Sequence, residues 1–261
     1  MTTEAILENQ TAVVTGAGSG IGKGISIKYL HSGAKLVPVD IDKNRLASLT
    51  EEATKLGLDK SRILPVVGDV CDFNFARTLM DDTIKNFGKL DILVNNAGGS
   101  LGFAGKSLVE TDKSQWDATI NLNLYGVLNC MRFALPYMIR QRYGRIINLG
   151  STTGMGDSVD GGGKIAIYAA CKAAVIALTK AVAREVAEYG INVNCVSPGV
   201  VRTRVFERFP KEELDSIVEK TPLGRVGEPE DIANICLFLA SKSSEWLTGQ
   251  NICASGGLVM H

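Results

Sequence analysis

Tyr168 and Lys172, the ends of "YAACK", are residue types at a spacing that could transfer a proton. On a helix, positions i and i+4 share one face, with Cβ atoms about 5–6 Å apart. An isolated phenol titrates near 10, too high for a base at neutral pH. A cation beside it favours the phenolate. Opposite charges ~4 Å apart gain roughly 1–4 kcal/mol for effective dielectrics of ~80 down to ~20. That corresponds to roughly 1–3 pKa units. The expectation is a Tyr168 made acidic by Lys172 and exchanging a proton with a substrate oxygen. By spacing alone, the pair is ordinarily just a helix face. Ser151 at a strand end is ordinarily a turn residue, and Asn123 a cap or bridge. Other features must therefore decide.

A second stretch offers a partner chemistry. "TGAGSGIG", residues 15–22, follows an apolar strand and opens a helical pattern. Glycines there let the backbone turn and approach a pyrophosphate, and the helix N-terminus presents free N–H groups and a positive dipole end. Gly16, Ser19, Gly20, Ile21 and Gly22 are the expected contacts. Asp40 ends the next strand 20 residues after Gly20, with Ile41 beside it. A carboxylate at that distance accepts from the adenosine ribose diol. It also repels the 2′-phosphate of NADP, which carries nearly two negative charges. The glycine loop itself holds no Arg or Lys, so NAD is expected over NADP. Asp42 is the better cap for the helix starting near Lys43, which would leave Asp40 free.

The elements that must position these residues follow from apolar patterning. "TAVVTG", "KLVPVDI", "RILPVVGDV", "LDILVNNAG", "GRIINLGS", "INVNCVSPG" and "QNICASGG" are mostly continuous apolar runs, as in strands covered on both faces. Amphipathic stretches such as "KNRLASLTEEATKLG" and "FARTLMDDTIKNFG" lie between them. The alternation predicts an α/β fold: a Rossmann-like, doubly wound parallel sheet of about seven strands, with helices on both faces. No linker divides residues 1–261, so one nucleotide-binding domain is expected.

Composition narrows the class further. The 261 residues are 45% hydrophobic and 21% charged, with 28 basic residues against 28 acidic ones. That balance offers no footprint for nucleic acid or a membrane surface. Six scattered cysteines form no C-x-x-C pair, and only His31 and His261 are histidines, so no metal site is expected. Without a secretory start, a cytoplasmic location with reduced thiols is expected.

"TGAGSGIG", "NNAG" at 95–98, "YAACK" at 168–172 and "SPGVVRT" at 197–203 stand in the order seen in short-chain dehydrogenases/reductases, and the chain resembles that family from Thr11 to about Gly257. The resemblance implies a nicotinamide cofactor and interconversion of a secondary alcohol and a ketone. It assigns Tyr168 as general acid/base and Lys172 as its partner and a ribose ligand. Ser151 donates to the substrate oxygen, and Asn123, three before Gly126, holds a relay water. Asp69 and Val70 are implied at the adenine. Asn95, Asn96, Ala97 and Gly98 are implied at the turn after the fourth strand, and Pro198, Gly199, Val201 and Thr203 at the carboxamide. It also implies a homotetramer, with the Tyr168 helix at one interface. The 16 residues between Ser151 and Tyr168 exceed the family's spacing, which predicts a longer rim loop bent at Gly161–Gly163.

Three segments are expected to set specificity: "GGSLGFAGKS", that long loop, and a helical lid from Arg204 to Gly224. Leu101, Phe103, Met155, Val205, Phe206 and Phe209 are candidates for an apolar pocket. The substrate classes left open are a hydrophobic cyclic or steroid-like alcohol and an acyl-CoA-type hydroxyl compound. The rivals are an NADPH-dependent 3-oxoacyl-carrier-protein reductase, a nucleotide-sugar epimerase or dehydratase, and a non-catalytic NAD sensor or structural subunit.

Overall fold

The computed structural model describes residues 5–156, 164–204 and 210–260. The apolar runs form strands β1 Thr11–Thr15, β2 Lys35–Asp40, β3 Val66–Val67, β4 Ile92–Asn95, β5 Gly144–Leu149, β6 Ile191–Pro198 and β7 Asn251–Ala254. They make one seven-stranded sheet in the order β3-β2-β1-β4-β5-β6-β7, with every pairing parallel.

Alternating side chains feed two cores, one on each face. Ala12 and Val14 of β1 join Ile25, Tyr29 and Leu30 of helix α1 (Gly20–His31). Cys236 and Leu239 of a helix at Pro229–Ala240 pack on the same side. Val13 faces the opposite way, with Leu79 and Met80 of a helix at Phe73–Phe87 and Cys130 and Ala134 of one at Gly126–Gln141. Both faces are therefore covered, which explains the lack of polar alternation. Each large aliphatic side chain fully buried this way contributes about 1.5–3 kcal/mol.

The sheet order reverses between β1 and β4, since β2 pairs with β1 on one side and β4 on the other. In open α/β sheets a crevice opens at the carboxyl ends of the strands at such a switch point. The Thr15–Gly16 and Asn95–Asn96 junctions meet there. The Asn96 side-chain amide donates to the Thr15 and Gly16 carbonyls, at 2.9 and 3.1 Å, and its backbone N–H donates to Thr15 Oγ1 at 3.0 Å. Helix α2 (Lys43–Lys55) begins as expected at Asp42, whose carboxylate accepts from the N–H groups of Asn44 and Arg45. The helix carrying the Tyr–Lys pair spans Ala166–Val186 and buries Lys172, Val175, Thr179, Val182 and Val186.

Candidate active site

The switch point opens into a cleft of about 540 Å³. At one end, the glycine loop passes from β1 into α1. Ser19 makes no side-chain cap, and the first turn of α1 carries no acid, so the positive end of the helix dipole is left unopposed. The loop is held from below. A Cβ at Gly22 would lie 2.2 Å from the Gly16 carbonyl oxygen and 2.4 Å from Asn96 Nδ2. Gly22 therefore supports the cleft floor without lining it, whereas Gly16, Ser19, Gly20 and Ile21 all line it.

Asp40 also lines the cleft, with Ile41, but it is not the free carboxylate expected from the sequence. Its Oδ2 accepts from the Gly18 N–H and its Oδ1 from the Asp42 N–H, each at 3.0 Å. Buried at the strand end, it anchors the glycine loop as well as facing the cleft. Farther along the wall stand Asp69, Val70, Asn96, Ala97 and Gly98, then Pro198, Gly199, Val201 and Thr203. A glycine-lined floor, an open helix N-terminus and a carboxylate at the rim fit the pyrophosphate and ribose of a dinucleotide.

At the other end, Tyr168, Ser151 and Lys172 converge on the same cleft. Ser151 caps the short 3₁₀ turn Thr152–Met155, its hydroxyl lies 3.1 Å from Thr153 Oγ1, and it is near enough to Tyr168 to lower the phenol's pKa in part. Lys172 is fully enclosed and donates from Nζ to the Leu149 carbonyl at 2.7 Å. Its ammonium sits 5.6 Å from the Tyr168 ring centre. The expected effect of Lys172 on the phenol is absent here. Burial raises the Tyr168 pKa above its ordinary value, and Ser151 only partly offsets this. Desolvation instead acts on the lysine and lowers its pKa to about 8. A direct ion pair would lower the phenol's pKa, but Lys172 is committed to the Leu149 carbonyl.

Asn123 stands behind the cleft wall, in a π-helical turn at Asn121–Tyr125. Single π-turns inside helices cluster at functional sites. Its amide donates to the Gly99 and Thr119 carbonyls, and its Oδ1 accepts from the Gly99 N–H at 2.9 Å. The side chain thus has protein partners on every side and holds the loop after β4. A Cβ at Gly98 would approach Asn123 Oδ1 to 2.8 Å and Lys172 Nζ to 3.2 Å, so only glycine lets the three groups meet.

Comparison with known proteins identifies the family. A family model described as Enoyl-(Acyl carrier protein) reductase matches residues 16–259. The 3-oxoacyl-[acyl-carrier-protein] reductase of Thermotoga maritima is 39% identical over 97% of this chain and 99% of its own. The chain belongs to the short-chain dehydrogenase/reductase family. Another relative is the (2S)-[(R)-hydroxy(phenyl)methyl]succinyl-CoA dehydrogenase subunit BbsD of Thauera aromatica, 36% identical over 96% of this chain and 97% of its own. A crystal structure of a 3-oxoacyl-[acyl-carrier protein] reductase with bound NAD from Brucella melitensis superposes with a TM-score of 0.88 at 33% identity. It covers 100% of this chain and 95% of the other.

Sequence reasoning about this dehydrogenase/reductase missed two cations on the cleft wall, Arg45 and Arg204. Arg45 lies three residues past the Asp42 cap, in the first turn of α2, which was the available signal. Arg204 reaches Ser19 Oγ at 3.4 Å, and no sequence pattern marks that contact. Of the apolar pocket candidates, Phe103 lines a small recess beside Tyr168, with Leu108 and Trp116. Leu101 is exposed. Val205, Phe206, Phe209 and the Gly161–Gly163 bend lie outside the described residues. The expected lid contains a helix at Lys211–Lys220.

The buried lysine carries a stability signature. Its pKa in the folded protein, about 8, lies below the ordinary 10.5, so the folded state disfavours the ammonium. That penalty is complete below about pH 8 and is relieved as pH rises toward 10.5, where the unfolded chain still binds the proton. In urea unfolding without cofactor, the wild type should gain stability relative to Lys172→Met across that window. A difference that stays constant from neutral pH to pH 10.5 would mean the lysine is not desolvated.

Proposed function

We propose that the protein reduces 3-oxoacyl thioesters to 3-hydroxyacyl thioesters, with NADH as hydride donor. The observation that carries this reading is a buried Tyr168, kept protonated by that burial and placed beside Ser151 in one cleft with the glycine loop. A phenol kept neutral by burial is poised to donate, which is what carbonyl reduction requires of it. The nicotinamide would supply the hydride. Tyr168 would give its proton to the carbonyl oxygen, and Ser151 would stabilise the charge developing there. Lys172, with its lowered pKa, would return a proton to Tyr168. Asn123 would hold the Gly98–Gly99 backbone against that lysine.

The thioester class is favoured over the steroid-like or cyclic alcohols because the relatives in Thermotoga maritima and Thauera aromatica are named for acyl-carrier-protein and CoA substrates. Asp40 at the ribose end favours NADH over the NADPH of the rival reductase reading. The homotetramer is proposed from the family resemblance, which puts the helix at Ala166–Val186 at an interface; that helix is strongly apolar yet mostly unburied in the single chain.

The test is to follow nicotinamide absorbance with NADH or NADPH, using a 3-oxoacyl-CoA, the same acyl group on carrier protein, and simple cyclic ketones. Thioester reduction faster with NADH is expected. Turnover confined to cyclic ketones would overturn the substrate class. NAD binding without turnover of any substrate would favour the sensor.

A further inference from the structure

Arg45 stands at the ribose end of the cleft and belongs to none of the sequence motifs. Its stem lies on the glycine loop, since a Cβ at Gly18 would come within 2.5 Å of Arg45 Cβ. Its guanidinium sits between two carboxylates. Nη1 is 3.8 Å from Asp40 Oδ1, and Nε is 3.0 Å from Asp42 Oδ2. Neither contact is a well-formed hydrogen bond. The first is too long. In the second the geometry fails, and Nε remains buried without a hydrogen-bond partner. A buried donor left unmatched is costly and calls for an explanation. The carboxylates do not need this arginine. Asp40 accepts two backbone N–H groups, and Asp42 accepts the two that cap α2. The Arg45 side chain is also 36% exposed, so it has room to turn.

We infer that Arg45 is a cofactor-discriminating residue that turns from Asp42 toward a 2′-phosphate, so that the protein keeps NADP binding despite Asp40. The inference rests on reading this end of the cleft as the adenosine ribose site. A 2′-phosphate brings nearly two negative charges and three acceptor oxygens. A guanidinium fork matches such a group in geometry as well as charge. Asp40, Asp42 and Arg45 together carry a net charge of −1; without the arginine the corner would carry −2. Asp40 therefore sets the preference for NAD, and Arg45 limits how strongly NADP is rejected.

Calorimetric titration of the full-length protein with NAD⁺, NADP⁺, 5′-AMP and 2′,5′-ADP tests this without turnover. Arg45→Ala should lose on the order of tenfold in NADP⁺ and 2′,5′-ADP affinity, the equivalent of one charge-assisted bond. NAD⁺ and 5′-AMP should change little. Arg45→Gln keeps the stem over Gly18 and should show the same selective loss, which separates the lost charge from a disturbed loop. Asp42→Ser retains a capping oxygen and releases the arginine, so NADP⁺ affinity should rise. Combining it with Arg45→Ala should remove most of that gain. Equal losses for both cofactors in both Arg45 variants would overturn the inference. So would a wild type that binds NAD⁺ but shows no NADP⁺ or 2′,5′-ADP binding. Failure of NAD⁺ and 5′-AMP alike to bind the wild type would overturn the ribose-site reading together with it.

Discussion

Tyr168→Phe is expected to lower turnover on the order of 10³-fold, the usual contribution of a positioned acid/base, while NAD⁺ binding stays close to wild type. The substitution removes one oxygen and keeps the ring. The contact of that ring with the Lys172 ammonium, 5.6 Å from its centre, should survive. What disappears is the hydroxyl that burial keeps protonated beside Ser151. Ser151 alone cannot replace it, because a serine hydroxyl that gives up its proton has no cation in contact to stabilise it; Lys172 donates to Leu149 instead. Single-turnover kinetics with pre-bound NADH, alongside cofactor titration, separate the two effects. A variant as fast as the wild type would remove Tyr168 from the chemistry.

The second large effect is structural. Gly22→Ala should weaken cofactor binding on the order of 10²-fold, since a displacement near 1 Å in a positioning element can cost that much. The added methyl would meet the Gly16 carbonyl oxygen at 2.2 Å. Its other close neighbour, Asn96 Nδ2, donates to Thr15 and Gly16 carbonyls and ties β1 to β4. Side-chain rotation cannot relieve a clash with backbone, so the glycine loop must shift out of the cleft. Gly16 itself has φ +62°, a conformation other residues adopt only with strain, so the loop has little freedom to adjust. Gly57→Ala, at a positive-φ glycine with open space around its Cβ, is the control. It should lose some stability and no cofactor affinity. Equal NAD⁺ affinity in Gly22→Ala and the wild type would show that this loop does not carry the pyrophosphate.

The sheet was legible in the sequence because its central strands, β2, β1, β4, β5 and β6, are apolar runs covered on both faces. The exception in length is β3. "RILPVVGDV" suggests a long strand, but only Val66 and Val67 pair with β2. Pro65 lacks the N–H that would extend the ladder, and only an isolated bridge joins Leu36 to Ile63 beyond it. Spacing suggested Tyr168 and Lys172, the family resemblance added Ser151, and the structure brings the three to one cleft. It could not give their electrostatics, because burial is a tertiary property: Lys172 is enclosed and bound to Leu149, so the pKa changes fall differently from an exposed i,i+4 pair. Asn123 shows the same limit. Its position was readable from Gly126, but its closed set of bonds to Gly99 and Thr119 depends on a π-turn that no propensity marks. Arg45 escaped notice because its neighbours across space, Asp40 and Gly18, come from two other strand ends.

The central claim is that one cleft holds a dinucleotide with its reactive ring at Tyr168. A crystal structure of the NAD⁺ complex tests it most directly. The expected result places the adenosine ribose at Asp40, the pyrophosphate over Gly20–Gly22, and the nicotinamide between Tyr168 and the Pro198–Thr203 wall. A cofactor bound in the reverse direction, or with its nicotinamide ring away from Tyr168 and Ser151, would contradict it.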